Sequence, residues 1–189
     1  MDEDVVQRVD DLGPTSWSGE AYRHTSRGRD PLSGVGARLF GGRWNPRDVF
    51  PTIYLAQPLA TCIGEFDRLA VANSIDPLAM LKRPHELHTV TATDLQILDL
   101  REEKSLSYVG LAPEDIADDD RTACQAVGHA AWFLQMSGVV APSATGKGLV
   151  IAVFENRLRP GQLRLERTTE LDENTYGDAR SGALELLTE

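Results

Sequence analysis

Arg23, Arg43, Tyr54, Glu65 and Ser143 are the side chains whose types, taken together, fit cleavage of a charged N-glycosidic bond. A guanidinium holds phosphate through a planar fork of N–H donors. An aromatic ring stacks on a flat cationic base, a contact worth about 0.5–2 kcal/mol. A carboxylate binds ribose hydroxyls and stabilises an oxocarbenium-like transition state, as carboxylates do in glycoside hydrolysis. A hydroxyl such as Ser143 orients the ribose or the leaving base. Each residue also has a plainer reading: Tyr54 as strand core, Glu65 as a solvated boundary acid, the arginines as partners of acids elsewhere.

Charge distribution favours an anion site. The 189-residue chain has a formal net charge of −10, which argues against general binding of nucleic acid, where cations must neutralise phosphates. From Ala21 to Arg47 the balance reverses: Arg23, Arg27, Arg29, Arg38, Arg43 and Arg47 stand against the single acid Asp30. The chain has only three lysines, so its positive charge is mostly arginine. The stretch GARLFGGRWNP, Gly36 to Pro46, sets a glycine pair beside Arg43, and glycine lets backbone approach a ligand closely. The competing expectation is internal pairing, for example with EDIADDD at Glu114 to Asp120; individual surface pairs of that kind contribute little.

These residues need elements to hold them. EAYRHTS and TIYLA (Thr52 to Ala56) read as strands, the latter bounded by Pro51 and Pro58. LATCIGEFDRLAVA, Leu59 to Ala72, has apolar residues at Leu59, Cys62, Ile63, Phe66, Leu69 and Ala70, a helix with one buried stripe. At about 100° per residue, Glu65 falls on one edge of that stripe and Asp67 on the other, and periodicity does not choose between them. LHTVTATDLQILDL suggests two short strands. RTACQAVGHAAWFLQMS reads as a second, more deeply buried helix with Asp120 as N-cap. GLVIAVFEN and QLRLER are strand candidates joined by a turn at Pro160-Gly161. Strands and helices do not alternate regularly, so the expectation is an α+β fold in one domain rather than a doubly wound sheet. The last dozen residues are expected to fray.

Other signals are negative. GVGARL lacks the third glycine of a dinucleotide fingerprint, and SATGKG resembles a phosphate loop only at Gly146-Lys147. His129 is expected to be a packed or capping side chain of the second helix rather than a catalyst, and nothing near His85 or His88 makes either a ligand. Cys62 and Cys124 fall in helix-like apolar patterns and are expected to be buried, reduced thiols. No zinc-like spacing of Cys and His occurs. No run of about 18 apolar residues suggests a membrane span. The acidic start MDEDVVQRVDD is unlike a secretory signal, so a cytoplasmic protein is expected.

The ordered set YRHTS, GARLFGGRWNP, IYLA, the helix with IGEF, CQAVGHAAWF and APSATG, from Tyr22 to about Gly146, resembles the RES-domain family. These are toxins of bacterial RES–Xre toxin–antitoxin pairs, named for characteristic Arg, Glu and Ser residues. The resemblance implies one RES domain over residues 1–189, similar to ADP-ribosyltransferases in fold, with a small β-sheet core flanked by helices. It implies that Arg23 contacts the phosphates of NAD+, that Arg43 is a second binding arginine, and that Tyr54 lies near nicotinamide. Glu65 would be the catalytic carboxylate and Ser143 the serine of the family name, in a supporting role. His24 stands where near relatives carry tyrosine, which makes its contact weaker or pH-dependent.

The activity so implied is loss of nicotinamide from NAD+, with Glu65 stabilising the ribosyl cation and inorganic phosphate capturing it as ADP-ribose-1″-phosphate. No metal is called for. The implied partner is an Xre-type antitoxin that blocks the cleft, in a hetero-oligomeric complex, with DNA contacted only through that partner. Capture by water, transfer to a protein side chain, and a non-enzymatic nucleotide-binding module are the rival outcomes.

Overall fold

The computed structural model describes residues 2–181. Six strands, β1 (Thr15–Ser26), β2 (Thr52–Gln57), β3 (His85–Asp99), β4 (Gly138–Pro142), β5 (Leu149–Phe154) and β6 (Leu163–Glu170), form one sheet in the order β1-β2-β5-β4-β3-β6. Strand β1 also pairs with β3 along most of its length, from Thr15↔Ile97 to Ser26↔His85. That pairing closes β1, β2, β5, β4 and β3 into a barrel, and β6 adds to the part of β3 that β4 leaves free. The only parallel pairing among the described strands is β3 with β4. Barrel closure is slightest between β1 and β2, which share the single position Tyr22↔Ala56.

Around the barrel lie α1 (Glu3–Leu12), α2 (Val35–Phe40), α3 (Leu59–Ala72), α4 (Pro77–Met80), α5 (Glu103–Tyr108), α6 (Pro113–Ala117), α7 (Thr122–Phe133) and α8 (Glu173–Ser181). The result is an α+β domain with a barrel core flanked by helices, as the irregular order of strands and helices predicts. Among the described residues no helix is long and apolar enough to cross a membrane.

Alternation along the strands fills the barrel: Ile53 and Leu55 of β2 meet Val90, Leu95, Ile151 and Val153 inside it, as period-two side-chain direction requires. A second cluster, with Val9, Trp44, Phe50, Val127, Ala131 and Phe154, packs α1 and α7 against the outer face. Phe50 stacks on Trp132 with centroids 4.9 Å apart. The third cluster joins α3 to α8 through Ile63, Phe66, Leu171 and Tyr176.

Helix α3 occupies the residues its periodicity predicts, with Leu59, Cys62, Ile63, Phe66 and Ala70 buried. Leu69 is the exception: it is 46% exposed because it lies on the wall of an open cleft rather than in the core. Both cysteines are buried free thiols. Strands β1 and β2 form where expected, as do β5 and β6.

Two expectations need correction, and one strand went unread. The segment read as two short strands is one continuous strand, β3. Its polar interruption at Asp94, which adopts φ 48°, is absorbed by β1. Ser16 Oγ donates to the Asp94 carboxylate at 2.8 Å, the Asp94 N–H donates to Ser18 Oγ at 2.8 Å, and the register shifts between Trp17 and Gly19. A bulge therefore replaces the break. Asp120 is not the N-cap of α7; Arg121 holds that position, and Asp120 accepts the Thr122 N–H at 2.9 Å from one residue earlier. Strand β4 was not anticipated, since GVVAP is a five-residue buried run too short to show a period. The expected fraying of the last dozen residues falls largely outside the described residues.

Candidate active site

A cleft of about 530 Å³ opens where β1 and β2 part. Its walls come from β1 (Tyr22, Arg23, His24), the loop after α2 (Gly41 to Trp44), β2 (Tyr54), α3 (Cys62, Glu65, Arg68, Leu69) and the strand end at Pro142. Five of the six candidate side chains, Arg23, His24, Arg43, Tyr54 and Glu65, line it. The sixth, Ser143, is 3% exposed and reaches the cleft through Glu65.

Glu65 is held from one side only. Ser143 Oγ donates to Glu65 Oε1 at 2.6 Å, and the Thr145 hydroxyl lies 2.8 Å from Ser143 Oγ. Oε2 has no protein partner among the described residues. The choice that helical periodicity leaves open is made by α8: Tyr176 donates to Asp67 Oδ1 at 2.7 Å, and Arg180 lies 4.0 Å from the same carboxylate. Asp67 is thus engaged on the α8 side, and Glu65 faces the cleft.

The guanidinium groups are positioned by carbonyls. Arg23 donates to the carbonyls of Pro31 at 2.6 Å and Ser33 at 3.1 Å. Burial lowers its pKa, opposed by Asp30 and Glu155, and arginine in a protein stays protonated nonetheless. Arg43 donates to the carbonyls of Asp115 at 2.9 Å and Asp118 at 2.8 Å. The acidic segment that the sequence offered as a charge partner therefore supplies backbone oxygens instead. Of the six clustered arginines only Arg23 and Arg43 line the cleft; Arg27 pairs with Glu86 and Glu170, and Arg47 with Asp48. Arg68 and Arg121, outside the cluster, complete a cationic lining with Glu65 and Asp119 as its acids.

Tyr54 is neither free nor simply core. Its hydroxyl donates to Asn45 Oδ1 at 2.8 Å and accepts the Trp44 N–H at 2.9 Å, and burial raises its pKa. Asn45 is fully buried and donates to the Ala37 carbonyl at 2.8 Å. Gly42 completes this arrangement: a Cβ there would collide with the Tyr54 hydroxyl. From α7, Gly128 does the same for the Trp44 backbone, whose carbonyl occupies the space of a side chain. The GGRWN loop is thereby clamped between Tyr54 and α7.

His24 is neutral. Burial, then His85, Arg23 and His88, lower its pKa to about 4, and its ring meets Phe66 edge-on at 5.1 Å. His129 packs against Phe50 and Trp132, and His88 bonds Thr25 and Thr168, so neither enters the cleft. The Ser143 to Gly148 loop joins β4 to β5 and opens no helix, in keeping with its rejection as a phosphate loop. Among the described residues no group of three or more His, Cys, Asp or Glu side chains could hold a metal ion. Sequence reasoning missed Asn45, Arg68 and Arg121. Asn45 stood inside a quoted motif with no role assigned, and Arg68 could have been found as the cation one turn beyond Glu65.

Known proteins resemble this chain in sequence and in fold. The RES domain model matches residues 20–172. NAD(+) phosphorylase MbcT of Mycobacterium bovis (strain ATCC BAA-935 / AF2122/97) is 49% identical over 181 residues, 96% of this chain and 97% of that protein. MbcT of Mycobacterium tuberculosis (strain ATCC 25618 / H37Rv) gives the same figures. A protein named as a probable NAD(+) phosphorylase in that second strain is 29% identical over 139 residues, 72% of this chain and 65% of its own. The crystal structure of the M. tuberculosis MbcT–MbcA toxin–antitoxin complex superposes with a TM-score of 0.90 at 49% identity, covering 95% of this chain and 98% of that one. With a domain match over most of its length and relatives aligned almost end to end, the chain belongs to the RES-domain family.

Proposed function

We propose that this chain cleaves the nicotinamide–ribose bond of NAD+ and passes the ADP-ribosyl group to inorganic phosphate. The observation that carries this reading is Glu65: a carboxylate fixed by Ser143 through one oxygen, open through the other, in a cleft otherwise rich in guanidinium groups. Arg23 and Arg43 hold the pyrophosphate, and Tyr54 shapes the nicotinamide pocket. Glu65 stabilises the positive charge that develops on the ribose as the base departs. A neutral His24 avoids adding repulsion next to a cationic nicotinamide. The scheme calls for no metal. The relatives named NAD(+) phosphorylase support the choice of substrate and acceptor.

The same reading groups the barrel with the ADP-ribosyltransferases and treats residues 1–189 as one RES domain. It makes the chain a cytoplasmic toxin held by an Xre-type antitoxin that blocks the cleft in a hetero-oligomeric complex and supplies any DNA contact. The toxin–antitoxin assembly of the structural relative supports the partner. The deciding experiment incubates the purified chain with NAD+, with and without phosphate, and resolves the products by chromatography and mass spectrometry. Nicotinamide and a phosphorylated ADP-ribose, formed only with phosphate, are expected. Free ADP-ribose in both buffers would make it a glycohydrolase, and intact NAD+ in both would overturn the reading.

A further inference from the structure

Glu65 and Arg68 lie one helical turn apart on α3, and both line the cleft. Residues three apart share a helix face. They also dock on one short loop: Ser143 Oγ donates to Glu65, and Arg68 Nη1 donates to the Ala144 carbonyl at 3.1 Å. The loop presses so closely on α3 that a Cβ at Gly64 would sit 3.0 Å from the Thr145 methyl. Arg68 makes no ion pair among the described residues, and the Ala144 carbonyl is the one acceptor its guanidinium has there. An arginine carries five N–H donors, so most of those on Arg68 are uncommitted beside the proposed reacting centre.

We infer that Arg68, with the Ser143–Thr145 loop behind it, is the binding site for the acceptor phosphate. The inference rests on the NAD+-cleaving reading and assigns the residue that selects its acceptor. A phosphate dianion next to the Glu65 carboxylate is repelled unless a cation stands between or beside them. Arg23 and Arg43 belong to the other walls of the cleft, where the same reading commits them to the pyrophosphate. Arg68 alone among the four lining arginines shares Glu65's helix. Its planar fork matches two phosphate oxygens.

The step balances without further reagents. The C1″–N bond breaks and its electron pair passes to the ring nitrogen, which leaves as neutral nicotinamide. An oxygen of hydrogen phosphate forms the C1″–O bond, and the resulting monoester releases its proton to solvent, its second pKa being about 6. Water, lacking the charge that Arg68 holds, has no such anchor.

The test uses the full chain and its Arg68→Ala and Arg68→Lys variants. Nicotinamide release is followed with phosphate varied at saturating NAD+, then with NAD+ varied at saturating phosphate, and products are resolved in each case. Arg68→Ala is expected to raise KM for phosphate about tenfold or more while KM for NAD+ stays within about threefold. Product shifts toward free ADP-ribose, and Arg68→Lys, which keeps the charge but loses the fork, falls between the two. Thermal unfolding checks each variant. If Arg68→Ala does not fold, a raised phosphate KM in Arg68→Lys supports the assignment and an unchanged one overturns it. A rise in KM for NAD+ alone would place Arg68 on the dinucleotide and overturn the assignment. Wild-type protein that cleaves NAD+ only with phosphate, beside variants that do not differ from it, refutes Arg68 alone. Wild-type protein without phosphate-dependent cleavage refutes the functional reading along with it.

Discussion

His24 makes the stability of this protein depend on acid in a way that one substitution removes. Its pKa falls from 6.5 in the unfolded chain to about 4 in the fold. The unfolded state therefore binds a proton that the folded state refuses. The sign follows: stability from the neutral ring is fully present above pH 6.5 and is lost as pH falls toward 4. Converted at about 1.4 kcal/mol per pH unit, the whole gap amounts to about 3 kcal/mol, of which about 2 kcal/mol falls between pH 7 and pH 5. His24 lines the cleft, where solvent reduces the effect, so about 1–2 kcal/mol is expected in that interval. Other groups titrate too, including His88 and His129, whose pKa values burial also lowers. The informative quantity is the difference between wild type and His24→Phe, which keeps a ring against Phe66. Urea unfolding at pH 7 and pH 5, with m compared at both, gives it directly. The wild type should lose about 1–2 kcal/mol more than the variant on acidification. Equal losses would show that the His24 ring is solvated in the fold and would refute the argument.

Other substitutions test the cleft itself. Glu65→Gln should lower kcat by about a hundredfold or more with little change in KM, because the lost interaction is made chiefly in the transition state; near-wild-type turnover in a nicotinamide-release assay would remove Glu65 from the chemistry. Arg23→Ala should weaken NAD+ affinity measured by calorimetry about tenfold or more, and unchanged affinity would take Arg23 out of the site. Gly42→Ala should cost about 1–3 kcal/mol in denaturant unfolding, because its methyl meets the Tyr54 hydroxyl; a neutral effect would show that the loop moves aside.

Sequence periodicity located α3 to the residue but could not separate Glu65 from Asp67. The residue that separates them, Tyr176, lies 109 positions away from Asp67, and no local pattern carries that distance. Strand β3 was misread for a related reason: Asp94 looks like a terminator until Ser16 and Ser18 of another strand engage it. Helix α1, unread in the acidic start of the chain, depends on a cap from Asp2 and on Val9 buried in the cluster it shares with α7. Arginine density pointed to the cleft because Arg23 lines it from β1 and Arg43 from the loop after α2. It could not show that Arg27 and Arg47 face carboxylates elsewhere.

The way these arginines are held explains how a chain of net charge −10 can keep a cleft lined by cations. A carboxylate partner would orient a guanidinium and cancel its field at the same time. A carbonyl orients it and leaves the charge in place to act on a ligand. Arg23 rests on the carbonyls of Pro31 and Ser33, Arg43 on those of Asp115 and Asp118, and Arg68 on that of Ala144. The acidic segment beside Arg43 shows the arrangement most clearly. The carboxylate of Asp115 accepts the Ala112 N–H, that of Asp118 the Asp120 N–H, and that of Asp120 the Thr122 N–H. Those side chains are committed to the turns that start α6 and α7, and it is the backbone oxygens of Asp115 and Asp118 that meet the guanidinium. Acidic residues thus build the support for a cationic site without neutralising it.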